Sequence, residues 1–409
     1  MIAFAQDCTD MLQTKIEQYF LNIRPKPDSL SSINCEFIKQ RLGSGDVFLD
    51  FLSTNLNNQP TFFLTIVPKN GASKTIFIPQ LNGTSVVADE TETRSRIAAK
   101  YAQKDSYDKY ENLLGYFEQE IQNVNTIYYS TTADLNLVNF KYLKDKSNTP
   151  LFKKHNMVRL HTAASFLAGK QQLFLSPKMN ALLVGNINYN CDTTANRSGA
   201  FINTWNYLPG TKTEINEIAS ILRKNHSVRT LDSCEVTEVK LTKEINNNRY
   251  DILHIATHGF FIEDADEQLG ITSQTFPLDR SGIVLSGANN KNASVGAFNT
   301  YGLLTASDFK KIKLSNIKLV VLSTCHSGEG TSTQSGAPIG LILSLLRQGS
   351  TAMIVSNRAV NDNDAKTFMT TYYNYLNKSS NADDCFITTL RLLYQKFPGT
   401  SWDFFDLIH

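Results

Sequence analysis

The sequence predicts an α/β protein, a mostly parallel sheet flanked by helices on both faces and preceded by a smaller α+β half. Two observations carry the prediction. From about residue 180, short apolar runs alternate with amphipathic stretches of helical period, the pattern of successive strand–helix–strand units. Upstream of that point the apolar runs lie close together, bounded by Asn, Gly and Pro, as in strands joined by tight turns.

Three segments follow, 1–30, 31–175 and 176–409. In the first, Met11, Leu12, Ile16, Phe20 and Ile23 recur at helical spacing until Pro25 and Pro27 end the pattern. So short a helix buries little surface alone, and it reads as the stub of a helical region or as a segment that docks on a partner. In the second, the runs 46–52 (DVFLDFL), 61–67 (TFFLTIV) and 74–78 (KTIFI), the last following the turn signal Asn70-Gly71, predict antiparallel strands. Residues 89–121 are charged and periodic and predict one or two helices, with Leu113, Leu114, Phe117 and Ile121 on one face. A strand over 126–129 and a polar connection over 130–150 come next. In the third segment, strands over 181–184, 251–256, 319–323 and 351–356 are interleaved with helices over 212–224, 236–246, 338–347, 363–377 and 383–396. The Gly-, Asn- and Ser-containing stretch 261–304 reads either as a mobile cover or activation loop or as a plain surface excursion.

Bulk composition narrows the function classes. Of 409 residues, 41% are hydrophobic and 19% charged, enough for a sizeable core. Forty basic residues against 38 acidic leave a formal charge of +2, which is no footprint for nucleic acid or an anionic membrane. The first residues lack the basic stretch of a secretory leader, and no apolar run approaches the roughly 20 residues of a membrane-spanning helix. Six scattered cysteines without a CxxC pair argue against a disulfide framework or a zinc cluster, and for a reducing, cytoplasmic setting. No cofactor is expected, since neither GxxxxGK[ST] nor GxGxxG stands at a strand–helix junction.

Chemistry-bearing residues gather at two strand ends, where open parallel sheets place their functional groups. One strand runs DILHIA into Thr257-His258-Gly259-Phe260, the other LVVLS into Thr324-Cys325-His326-Ser327-Gly328. If these strands are neighbours, His258 and Cys325 face each other across the rim. A nearby imidazole raises the population of thiolate, the nucleophilic form of cysteine. The backbone N–H groups of Gly259 and Cys325 could receive the oxyanion of an acyl transfer. Taken alone, Cys325 reads as a buried core cysteine at a strand end, and the context reverses that weighting. His254 reads as a packed core histidine. With His258 it has the i,i+4 spacing of a zinc motif, but in a strand the two stand about 13 Å apart, and no metal is expected.

Read together, His254-Ile255-Ala256-Thr257-His258-Gly259-Phe260 and Leu322-Ser323-Thr324-Cys325-His326-Ser327-Gly328 resemble the CHAT family of caspase-like proteases, with caspases, metacaspases and separase as more distant relatives. Leu208-Pro209-Gly210-Thr211 with Glu214, the stretch 303–308, residues 349–362, and Pro398 with Trp402 match the same pattern in register, and DVFLDFL and TFFLTIV look like its non-catalytic front half. The resemblance thus covers roughly residues 40–408. It implies a caspase-like core over 176–409, a pseudo-protease-like half over 31–175, and peptide hydrolysis with His258 as base and Cys325 as nucleophile. Two positions depart from the pattern: Arg358 where relatives often carry tryptophan, and Thr324 where many carry alanine. Ser323 occupies the place of the metacaspase aspartate, so with Arg358 and Asp362 it is a pocket position whose preference stays open. The resemblance also implies a protein or peptide substrate, and control by a regulatory partner or helical-repeat sensor module. The setting it suggests is bacterial stress or antiphage defence. The alternative reading is a catalytically silent caspase-like scaffold.

Overall fold

The computed structural model describes residues 34–56, 59–78, 113–131, 135, 138–166, 172–191, 205–261, 281–289, 302–324, 331–332, 338–356, 360–398, 400 and 402–409. The helix read over 7–23 and most of that read over 89–121 lie outside them. Two compact units result: Met1–Gln172 with Ser332–Pro338 and Ile408–His409, and Leu173–Thr331 with Ile339–Leu407.

In the first unit, helix α1 (Cys35–Arg41) starts at Asn34, whose side chain accepts the Phe37 N–H at 2.8 Å. At seven residues it is too short to show a period. Strands β1 (Asp46–Leu56), β2 (Gln59–Pro68) and β3 (Lys74–Ile78) pair antiparallel, as their turn signals predict. Beside β1 the sheet turns parallel, through β4 (Thr126–Ser130) and then β5 (Asn156–Arg159). Strand β1 is therefore central and buries successive residues, Val47, Phe48, Leu49 and Phe51, on both faces. Its Asp50 is buried as well and accepts a hydrogen bond from Ser130 in the facing position of β4. Leu113, Leu114, Phe117 and Ile121 are all buried, the last at the end of α2 (Glu118–Ile121). After the 3₁₀ turn Phe140–Tyr142 comes α3 (Leu151–Lys154).

The second unit holds the strand–helix alternation. Strand β6 (Asn180–Ile187) leads through α4 (Pro209–Leu222) to β7 (Ser227–Ser233), and α5 (Glu238–Asn247) leads on to β8 (Ile252–Ala256). After β8, the short strands β9 (Gly259–Phe261), β10 (Ser281–Val284) and β11 (Leu303–Thr305) form a separate antiparallel sheet in the order β11-β10-β9. The chain re-enters the main sheet as β12 (Leu319–Ser323), then passes through α6 (Leu341–Arg347) to β13 (Ala352–Ser356), helices α7 (Asp362–Leu376) and α8 (Ala382–Lys396), and β14 (Phe405–Ile408). The strand order in this unit is β14-β13-β12-β8-β6-β7, parallel from β13 to β7. Helices α5, α7 and α8 start on Thr237, Asn361 and Asn381, each accepting backbone N–H groups of the first turn.

Three differences from the sequence reading have physical causes. Strand β7 is not marked by an apolar run because it is an edge strand, and only Leu231 of its seven residues is buried. The described part of 261–304 is not a surface excursion: Ser281 through Ala288 are buried and partly in strand β10. Cys191 and Cys234, 43 residues apart, form a disulfide at a Cα separation of 5.6 Å. The parallel pairing of β6 with β7 brings the ends of those strands together, and no sequence spacing reveals such a pairing.

His254, fully buried on β8, is a core histidine held by two helices. Its Nε2 lies 2.9 Å from Glu214 Oε1 on α4, and its Nδ1 is 3.3 Å from the Tyr373 hydroxyl on α7. Burial, and then the Glu214 carboxyl, push the Tyr373 phenol well up, so it stays protonated beside Nδ1. Glu214→Ala removes the partner of a buried imidazole and should lower unfolding free energy by about 1–3 kcal/mol. Glu214→Gln should lose less. The urea midpoints of the three proteins check this.

Candidate active site

Two neighbouring strand ends build the site. Strands β8 and β12 pair in parallel with Ser323 opposite Ala256, and the Thr257 N–H reaches the Ser323 carbonyl at 3.4 Å. The pairing continues as far as the last residue of each strand. His258 is the second residue past Ala256, and Cys325 is the second past Ser323 in the sequence. Cys325, with His326 and Arg358, lies outside the described residues.

The histidine side is described in full. His258 is half-buried, and its Nε2 stands 2.7 Å from the main-chain carbonyl of Asn206. A carbonyl oxygen only accepts, so Nε2 is the donor of this contact, and in the neutral form of the ring Nδ1 is then the acceptor. Tyr189 and Trp205 flank the imidazole, with ring centroids 5.2 and 5.3 Å away. The Tyr189 hydroxyl lies 2.9 Å from Thr257 Oγ1, which itself donates to the Val284 carbonyl at 2.5 Å. Burial pushes the Tyr189 phenol up, so it acts as a fixed neutral donor.

Gly259 sits opposite Ile283, next to the pair in which the Val284 N–H donates to the His258 carbonyl at 2.8 Å. Bonded and non-bonded pairs alternate along an antiparallel ladder, so the Gly259 N–H turns away from β10. Strand β9 is the edge of its small sheet, which leaves that N–H unclaimed by the ladder.

Ser323 and Thr324 are buried, and the Thr324 carbonyl accepts a hydrogen bond from Ser356 of β13. Asp362 opens α7 and accepts the Gly210 N–H at the start of α4, at 3.3 Å. The two helix ends approach so closely that a Cβ at Gly210 would lie 2.4 Å from the Asp362 Cβ. Among the described residues, no group of three or more His, Cys, Asp and Glu could hold a metal ion, and no helix is long and apolar enough to cross a membrane.

Sequence reasoning missed Tyr189, Trp205 and Asn206. Tyr189 follows the carboxyl end of β6 and could have been found by the strand-end rule that singled out His258 and Cys325. Trp205 and Asn206 lie on an irregular stretch and contribute a ring face and a main-chain oxygen, which carry no sequence signal.

A mostly parallel sheet flanked by helices is the architecture of the caspase-like cysteine proteases. The CHAT domain pattern matches residues 110–396, and the chain belongs to the CHAT domain family. No curated protein matches it. Among solved structures, the Saccharomyces cerevisiae separase–securin complex aligns with 96% of this chain at a TM-score of 0.55 and 9% identity. This chain spans 32% of that separase-complex chain. The Arg-specific cysteine proteinase gingipain R aligns with 77% of this chain and 69% of its own, at a TM-score of 0.43 and 9% identity.

The Cys191–Cys234 bridge ties the loop that carries Tyr189 to the end of β7. Closing a loop of 43 residues in the unfolded chain should contribute about 4 kcal/mol by the chain-entropy argument. Cys234→Ser should therefore melt well below the wild type under oxidising conditions, and the gap should close when both are heated with dithiothreitol.

Proposed function

We propose that the chain is a cysteine endopeptidase in which Cys325 is the nucleophile and His258 the general base. The observation that carries this reading is the in-register pairing of Ser323 with Ala256, the last residues of two neighbouring strands, which His258 and Cys325 follow by two positions in the sequence. The Nε2–Asn206 contact supports it further, because it leaves Nδ1 as the acceptor.

In this reading Nδ1 takes the thiol proton of Cys325, and the thiolate sulfur attacks the scissile carbonyl carbon. The N–H groups of Gly259 and Cys325 receive the resulting oxyanion. As the tetrahedral adduct collapses, the C–N bond breaks, and the imidazolium returns its proton to the leaving amine. A water molecule, deprotonated by the same imidazole, then cleaves the thioester and restores the thiol. Ser323, Arg358 and Asp362 shape the pocket for the residue before the cut. Asp362 does so while bound to the start of α4, so its contribution is one of charge and rim shape.

Control by a protein partner belongs to the same proposal, as does a place in bacterial stress or antiphage defence. A peptidase without a switch would damage the cell that makes it. The separase of the similar structure is found in complex with securin.

An acyloxymethyl ketone peptide should add its acyl-methyl mass to the wild type and leave Cys325→Ala unmodified. His258→Ala should slow the labelling by about 10²–10⁴-fold, the usual contribution of a positioned base. Mapping of new protein N-termini in cells with wild type against Cys325→Ala would identify the substrate. Labelling that persists in Cys325→Ala, or its absence from wild type supplied with a cell extract from the source organism, would favour the silent scaffold.

A further inference from the structure

The contact that orients His258 depends on a main-chain oxygen of an exposed residue, Asn206. A carbonyl can hold a ring only as firmly as its own peptide is held. The anchor lies in the turn after β10. There the Ser286 N–H donates to the Val236 carbonyl at 3.0 Å, and Ser286 Oγ and the Gly287 N–H both reach the Asn188 carbonyl, at 3.3 and 3.4 Å. Gly302 closes over this turn with a positive φ of 74°; a Cβ there would lie 2.4 Å from the Ala288 nitrogen.

Asn289 ends the turn and spends all of its side-chain amide on the His258 surround. Its Oδ1 accepts the Trp205 N–H at 2.7 Å, and its Nδ2 donates to the Trp205 carbonyl and to Asn190 Oδ1, both at 3.0 Å. Its backbone N–H donates to the Tyr189 carbonyl at 2.9 Å. One residue thus holds both aromatic flanks of the imidazole, and it fixes residue 205 by both its N–H and its carbonyl. Only a primary amide supplies one acceptor and two donors in a single plane; aspartate lacks the donors and alanine lacks all three.

We infer that Asn289 is a positioning residue for His258, its side-chain amide clamping the Trp205 main chain so that the neighbouring Asn206 carbonyl stays on Nε2 and Nδ1 remains the proton acceptor. This rests on the reading of His258 as the base. When the clamp is lost, the carbonyl drifts, the neutral ring keeps only the weaker intrinsic preference for Nε2–H that leaves both tautomers populated, and the imidazolium loses a charge-assisted acceptor. The thiolate–imidazolium pair becomes harder to form.

The test compares wild type, Asn289→Ala and Asn289→Asp, with folding checked by thermal melting. Long-range proton–nitrogen spectra of protein labelled at its seven histidines report the tautomer, with His258 assigned from the His258→Ala spectrum. The rate of Cys325 alkylation by iodoacetamide against pH reports the pair. We expect a dominant Nε2–H tautomer in the wild type and a mixture in both variants. The alkylation midpoint of Asn289→Ala should rise by about one pH unit, a tenfold slower rate below the midpoint. Folded variants that keep the wild-type tautomer overturn the inference. If instead wild-type alkylation is unchanged by His258→Ala, the peptidase reading fails, and the tautomer spectra still decide the role of Asn289.

Discussion

The site depends on one piece of backbone geometry, the parallel pairing of β8 with β12. In a parallel ladder the strands start and end at the same edge, so residues just past two paired termini are close whatever their separation in sequence. Ala256 and Ser323 are 67 positions apart and lie opposite each other. The pairing is strongly determined because every residue of both strands is buried. A slip of one residue would turn His254 away from Glu214 and Tyr373 and leave buried polar groups without partners. The core histidine four residues upstream thus helps set the register on which the rim histidine depends.

Beyond that edge, specificity of arrangement comes from polar contacts on short irregular segments. The imidazole is held by a carbonyl oxygen at one nitrogen and by aromatic rings beside it, and those rings are tied to a turn that follows β10. None of these groups needs a charge. A hydrogen-bonded surround of uncharged groups orients the ring through one of its nitrogens. The disulfide adds a covalent tie from the Tyr189 loop to β7.

The strand–helix alternation after residue 180 was legible because β6, β8, β12 and β13 are buried on both faces and so must be continuous apolar runs. Strand β7 was not legible, because an edge strand can be polar, nor was β9–β11, whose strands are only three or four residues long. At the site, His258 and Gly259 could be read from a strand end followed by glycine. Asn206 could not be, since it acts through its main-chain oxygen, and Asn289 acts across 84 residues on a peptide group.

The sequence by itself determined which residue types can do chemistry and that two of them follow buried strands, because hydrophobic periodicity and local motifs are properties of neighbouring residues. The tertiary structure alone decided that those strands are adjacent and in register, that Cys191 meets Cys234, and that Nε2 of His258 is the nitrogen held by the Asn206 carbonyl. Those are contacts between residues far apart along the chain, and they are set by burial, pairing and hydrogen-bond closure over the whole unit.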